Sequence, residues 1–420
     1  MPRNTLSVIA MTLLLAACSE DSSGGSPPSS TSSSSTTTTG SGGDGGSPAA
    51  GGGGGGGVAV TPNPCQSYET PFGDWEVGDP ADHGFDPDGL DAMWSELESR
   101  GTQALLVIRH DAIVYEAYAG SRTRTDPHYT ASMAKALVGG TALMVAMHDG
   151  RIDPDDLGAD HVPQWVGDPD RDAISVRHLA THTSGIEDAE EGGLPHDQLT
   201  GWKGDFWARL DPPNDPFSIS RDLAPVLFSP GTDEAYSNPG IAMLGYAVTA
   251  SLAGQPQVDL RSLLSARIMD PIGVPSSEWS CGYGTTFDVD GHALVAAWGG
   301  ANYSPNATAR VGRLMLCRGQ WNGQSLIDEA VVLEATKHAG TPAPSGLSWW
   351  VNQYGDGSKR SGSLPEDAFW GAGAGNQILL VVPSLEIVLV RNGSQLLSGD
   401  FFGGLEQYLF APLMAALADA

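Results

Sequence analysis

Basic residues are scarce in this chain of 420. Lys plus Arg number 21 against 50 Asp plus Glu, a formal net charge of −29. That balance argues against a nucleic-acid binder, which needs clustered cations to neutralise phosphates. It argues equally against docking on anionic lipid through charge. Only four of the cations are lysines, and only four cysteines occur. No Gly-X-Ser-X-Gly is present, which leaves an α/β-hydrolase nucleophile elbow without support. Hydrophobic residues still make up 40% and charged residues only 17%, so most of the chain can bury a core. Glycine and proline are plentiful, at 55 and 29.

The N-terminal region explains part of that excess. Arg3 precedes an apolar stretch from Leu6 to Leu15. It is too short to span a bilayer and has the length of a signal-peptide core. It ends in Leu15-Ala16-Ala17-Cys18, which resembles the lipobox of bacterial lipoproteins. The resemblance implies a signal peptide over 1–17 and acylation of Cys18, with Ser19 in place of Asp favouring the outer membrane. Three acyl chains would anchor the chain firmly, since two lipid signals suffice. The other reading is a plain secretory signal with an incidental cysteine. Ser, Thr, Gly and Pro fill 34 of the 42 positions from Ser19 to Val60. Residues 18–60 are therefore expected to be a disordered tether with a span of roughly 35 Å. Membrane contact is expected only through the anchor. With Cys18 lipidated, Cys65, Cys281 and Cys317 remain, enough for one bridge. The expected pair is Cys281–Cys317, because Cys65 adjoins the tether.

Residues 61–420 read as one α/β domain. Asp86-Pro87 is a helix start, with Leu90, Met93, Trp94 and Leu97 at helical spacing. Ala104–Arg109 and Ala112–Tyr118 form a hairpin around His110-Asp111. A long apolar helix is expected over Ser132–His148, and another over Ile241–Ala253. Strands are expected at Leu347–Asn352, Ala368–Gly371, Gln377–Val382 and Glu386–Arg391, and a closing helix over Asp400–Ala418. Strands at both ends of the domain imply a central antiparallel sheet flanked by helices. The stretch from 150 to 340 should form a mostly helical lobe.

Three motifs carry chemistry. Ser132-Met133-Ala134-Lys135 puts a hydroxyl and an amine on one helix face, near a helix start where dipole and free N–H groups favour an anion. A serine needs a base to become a nucleophile, and a lysine can serve only when neutral. Tyr236-Ser237-Asn238 offers a phenol that could move a proton and an amide that could hold Lys135 or a substrate carbonyl. Phe369–Gln377 is rich in glycine and runs into a strand, where a backbone N–H could face an oxyanion. Each motif taken singly has a plain structural reading. His178 and His182 lie at metal-ligand spacing, but a structural role is favoured. No metal or cofactor is expected.

Together, in this order, the motifs resemble the serine β-lactamase-like superfamily. That group includes class C β-lactamases, DD-peptidases, family VIII carboxylesterases and 6-aminohexanoate-dimer hydrolases. Ile174–Ile186, reading Arg177-His178-Leu179-Ala180-Thr181-His182-Thr183-Ser184-Gly185 at its centre, is very similar to a stretch of that superfamily. The resemblance covers about 85–415 and implies the β-lactamase/transpeptidase-like fold. It implies an acyl-enzyme on Ser132, activation by Lys135 and Tyr236, and support from Asn238 and Gly373. It also implies an oxyanion hole of the Ser132 and Ala374 N–H groups.

The chain departs from the superfamily where Gly371-Ala372-Gly373 replaces a motif that usually starts with Lys or His. That cation helps to bind a substrate carboxylate, so its loss favours a small-molecule ester or a linear amide over a β-lactam. Arg391, on the next strand, is a candidate to supply a charge from another direction. The motifs around Gly373–Gln377 look most like the 6-aminohexanoate-dimer hydrolases. A cell-wall peptidase or β-lactamase is the alternative, and a non-catalytic binder of peptidoglycan or peptides is the second. Oligomeric state is not readable.

Overall fold

The computed structural model describes residues 63–68 and 72–417. The expected signal peptide, Cys18 and the tether lie outside these. The described chain is organised on a seven-stranded sheet. Its strands are β1 (Glu76–Val77), β2 (Thr102–Arg109), β3 (Ala112–Tyr118), β4 (Trp350–Val351), β5 (Phe369–Gly373), β6 (Gln377–Val382) and β7 (Ile387–Gly393). The spatial order is β1-β3-β2-β7-β6-β5-β4. Only β1 runs parallel to its neighbour. The first and last parts of the domain meet where β7 pairs with β2, from Ile387 opposite Arg109 to Gly393 opposite Thr102.

Strand side chains alternate between two cores, as a period of two requires. Leu105, Val107, Ile378, Leu380, Val382, Ile387 and Leu389 face one layer of helices. Leu106, Ile108, Leu379, Val381, Val388 and Val390 face the other core. The first layer holds α1 (Pro87–Ser99) and the C-terminal helices. Asp86 caps α1 by accepting the Asp88 N–H, Pro87 opens it, and Leu90, Met93 and Leu97 are buried. The second core is shared with α2 (Thr141–His148), α3 (Asn238–Ser251) and α4 (Pro305–Leu316). Short helices and loops fill much of 150–340, in line with a mostly helical lobe.

Three local expectations change. The helix over Ser132–His148 is broken into a 3₁₀ turn at Ala131–Met133, a π segment at Lys135–Gly140, and α2. The closing helix is likewise split by a π segment at Glu406–Phe410. The strand over Leu347–Asn352 shortens to β4, because Ser348 adopts φ +66° and gives its N–H to Ala180 O, turning the chain away from the sheet.

The disulfide is a correction. It joins Cys65 to Cys317, with Cα atoms 5.1 Å apart, and Cys281 is free and buried. Asn63 Nδ2 donates to Cys317 O at 3.0 Å, and Phe72 N donates to Asn322 Oδ1 at 2.6 Å. The Arg313 guanidinium lies 4.2 Å over the Phe72 ring and is held by Asp111 at 2.5 and 2.7 Å. Proximity to the tether was a poor guide, since the segment that enters the domain is clamped onto the end of α4. Non-reducing peptide mapping should join Cys65 to Cys317, and Cys65→Ser should cost about 2–5 kcal/mol of stability. A Cys281–Cys317 peptide would contradict this pairing.

Candidate active site

Ser132 sits on an unusual turn. Ala131 before it is a buried non-glycine residue at φ +48°, a conformation that costs energy unless its surroundings impose it. They do so through Thr130, whose N–H and Oγ1 both donate to Ala301 O, at 2.9 and 3.1 Å, while its own carbonyl accepts from Met133 N. Lys135 opens the π segment that follows this turn, and its Nζ lies 3.1 Å from Ser132 Oγ.

Lys135 is buried. Two further oxygens flank its amine, Asn238 Oδ1 at 2.7 Å and Trp298 O at 2.8 Å. Burial lowers its pKa to about 7, against the opposing pull of Asp188 and Glu190. Asn238 cannot present its other end to the amine. Its backbone N–H and its Nδ2 both donate to Asp188 Oδ1, at 2.8 and 3.0 Å, and a carboxylate only accepts. Asp188 is itself pushed up to about 6, chiefly by burial.

Tyr236 closes the cluster. Its hydroxyl interacts with Ser132, and Lys135 Nζ lies 4.6 Å from its ring centroid. Burial around the hydroxyl pushes the phenol well above its ordinary pKa. The residue as a whole remains 37% exposed, so it stands at the mouth of the cleft. The His182 ring lies 4.5 Å from the Tyr236 ring at a tilt of 31°, and its Nδ1 accepts the Ser237 N–H. Burial and the neighbouring Lys135 lower His182 to about 3, which leaves it neutral. His178 instead accepts from Ser175 N and faces Gly231, so the two imidazoles are used separately.

Glycine brings β5 against the serine. A Cβ on Gly373 would lie 2.2 Å from Thr130 O, 2.8 Å from Met133 N and 3.0 Å from Ser132 N. One on Gly371 would meet Ala136 Cβ at 3.0 Å. Ala374, the next residue after Gly373, is half-buried, and its carbonyl accepts from Gln377 Nε2 at 3.3 Å.

Arg391 does not reach the cleft, which corrects its expected role. It is fully buried. Its guanidinium donates to Thr102 Oγ1, Gly375 O, Asn376 O and Ser394 O, at 2.6 to 3.0 Å. It braces the β5–β6 turn. Asp188 takes one of the two N–H groups of Asn238 Nδ2, and the other remains the donor for the expected contact with a substrate carbonyl. Sequence reasoning missed Asp188 and the Trp298 carbonyl. One is an aspartate among 50 acidic residues, and the other is backbone, so neither carries a sequence signal.

The family model described as Beta-lactamase matches residues 91–402. The chain belongs to the Beta-lactamase family. A curated relative, the 6-aminohexanoate-dimer hydrolase of Paenarthrobacter ureafaciens, is 26% identical over 250 residues, 58% of this chain and 59% of the relative. The chain thus matches about three fifths of that relative's length. Among solved structures, a Bacillus anthracis protein assigned as a 6-aminohexanoate-dimer hydrolase superposes with a TM-score of 0.61 at 17% identity, covering 82% of this chain and 87% of its own. A D-stereospecific amidohydrolase from Streptomyces gives 0.56 at 18% identity, covering 76% and 98%. These two establish the fold. Membership of the Beta-lactamase family supports hydrolysis of amide or ester bonds as the reaction class.

Gly373→Ala tests the close approach of β5. It should cost about 1–3 kcal/mol in thermal or chemical unfolding through overpacking. By displacing β5 from Ser132 it should also lower turnover about 100-fold. Wild-type stability and turnover would show that the strand is not in contact with the serine turn.

Proposed function

We propose that this chain is a serine hydrolase that cleaves small esters or linear amides through an acyl-enzyme on Ser132. The observation that carries the proposal is the set of three oxygens around Lys135 Nζ. Asn238 Oδ1 and Trp298 O can only accept. A neutral amine has two N–H groups and one lone pair. Donating to those two oxygens leaves the lone pair for the Ser132 hydroxyl proton. A pKa near 7 makes that neutral form available at physiological pH.

In this reading Lys135 takes the Oγ proton as Oγ attacks the substrate carbonyl. The Ser132 and Ala374 N–H groups face the oxyanion. Tyr236, whose raised pKa keeps it protonated, gives its proton to the leaving group and recovers one from Lys135. Water then releases the acyl group with the same residues. The directions decide between the two candidate bases, since burial raises the phenol and keeps it protonated while it lowers the amine and makes its neutral form accessible.

Substrate class follows from charge. Lys135 is the one cation lining the cleft among the described residues, and the lining includes Ala180, Ala372 and Ser348. With Arg391 committed to the β5–β6 turn, this favours an uncharged acyl group. The similarity to a 6-aminohexanoate-dimer hydrolase supports linear amides. Export and anchoring through Cys18 belong to the same proposal and rest on the N-terminal motif; mass spectrometry of the mature N-terminus would test them.

Turnover of p-nitrophenyl butyrate should be lost in Ser132→Ala, and intact-mass analysis should show an acyl adduct on the wild-type chain alone. Residual turnover in the variant would count against Ser132. A stable penicilloyl adduct would instead favour the cell-wall reading. Activity should fall below about pH 7 as Lys135 gains a proton. Asp188 raises the Lys135 pKa, so Asp188→Asn should move this acid limb to lower pH. It should also reduce kcat/KM by about 10- to 100-fold, since it loses charge-assisted hydrogen bonds to Asn238. An unmoved limb would show that Asp188 does not act through Lys135.

A further inference from the structure

Two adjacent buried residues of the helix Gly201–Ala208, Phe206 and Trp207, lead to the two acceptor oxygens on Lys135. The Phe206 ring lies 5.0 Å from that of Trp298, whose carbonyl accepts from Lys135 Nζ. Trp207 Nε1 donates to Ala189 O at 3.2 Å. Ala189 follows Asp188, which accepts from both Asn238 N–H groups and so aims Asn238 Oδ1 at the amine. His196 lies flat on the Trp207 ring, at 3.6 Å and 9°, and its Nε2 meets Glu190 Oε1 at 2.9 Å. The segment 187–190 needs such a hold. Glu187, Asp188 and Glu190 put three carboxyl groups within four residues, and like charges this close repel. Lys203, on the same helix as Trp207, ties the two ends of the segment together. Its Nζ lies 2.8 Å from Glu187 Oε1 and donates to Glu190 O at 3.1 Å. Glu187 N donates to Pro225 O at 2.8 Å on the other side.

We propose that Trp207 and Lys203 are positioning residues for the base: Trp207 fixes Asp188 and through it Asn238, and Lys203 offsets the negative charge that the segment 187–190 directs at Lys135. The inference rests on the reading of Ser132 as nucleophile and Lys135 as base. Neither residue lines the cleft at Ser132, so each acts through the segment. A carboxylate near Lys135 favours its ammonium form, and a cation near it opposes that form. Asp188 and Glu190 act in the first sense. Lys203, seated on the same segment, acts in the second. His182 and Tyr236, the other titratable groups beside the amine, are neutral and add no charge. The amine thus stays available as a base although three carboxyl groups lie on one segment close by.

The test uses the full chain, p-nitrophenyl butyrate and a double-mutant cycle, with circular dichroism as the check on folding. Trp207→Phe keeps a ring and loses the N–H. It should lower kcat/KM by about 3- to 10-fold, the range of one neutral hydrogen bond. In the Asp188→Asn background the same change should cost less than about 2-fold, because the contact that Trp207 steadies is already lost. Equal costs in the two backgrounds would overturn the positioning role of Trp207. Lys203→Met should move the acid limb of kcat/KM upward by about 0.5 pH unit, and Lys203→Arg, which keeps the charge, should leave the limb in place. An unmoved limb in Lys203→Met, or an equal shift in Lys203→Arg, would overturn the electrostatic role of Lys203. Turnover that persists in Ser132→Ala, or is absent from the wild-type chain, would count against the Ser132 reading and take both roles with it.

Discussion

The site depends on keeping one lysine amine dry and surrounded by oxygens. A buried lysine ordinarily pays a desolvation penalty as an ammonium, and its pKa falls. Around Lys135 the contacts are two neutral acceptors and a hydroxyl. Asp188 stands one residue further out, behind Asn238. Distance matters here. A carboxylate in direct contact would hold the ammonium form, whereas one acting through an amide fixes the amide's orientation and opposes the pKa shift only in part.

Much of the fold serves that arrangement. The pairing of β7 with β2 joins the two ends of the domain, and β5 is carried on the same sheet. Gly373 lets β5 come within contact of the serine turn, where a Cβ would lie 2.2 Å from Thr130 O, and Gly371 packs tightly on Ala136. Arg391 and Gln377 pin the turn that follows, through Gly375 O, Asn376 O and Gly393 O. On the lobe side, Thr130 ties the serine turn to Ala301, and Trp298 in the same segment supplies its carbonyl to Lys135. Phe206 and Phe217 pack on the Trp298 ring at 5.0 and 5.4 Å. The aromatic residues of the lobe thereby fix a backbone oxygen used by the site.

Much of this was legible in the sequence where a local pattern carries the information. The hairpin at Ala104–Tyr118, the strand Gln377–Val382 and the Asp86-Pro87 helix start follow from period, turn residues and capping, all short-range. The Ser132/Lys135 and Tyr236/Asn238 pairs are recognisable by spacing, and the fold brings all four side chains together. What sequence could not give depends on distant partners. Asp188 meets Asn238 across 50 residues, and Cys65 meets Cys317 across 252. Arg391 looked available because its strand was placed correctly, but its guanidinium finds four oxygens that no local pattern reveals. The π segment at Lys135–Gly140 has no local signature either.

The neutrality of Lys135 can be observed without any substrate. The chain has four lysines, Lys135, Lys203, Lys337 and Lys359, so a sample labelled with ¹³C at lysine Cε gives a spectrum simple enough to titrate. Lys135→Met identifies the relevant resonance by its loss. The resonance lost in Lys135→Met should titrate near pH 7 in the wild-type chain. Titration of that resonance near or above pH 10 would show that Lys135 is an ammonium at neutral pH, which contradicts its role as the base.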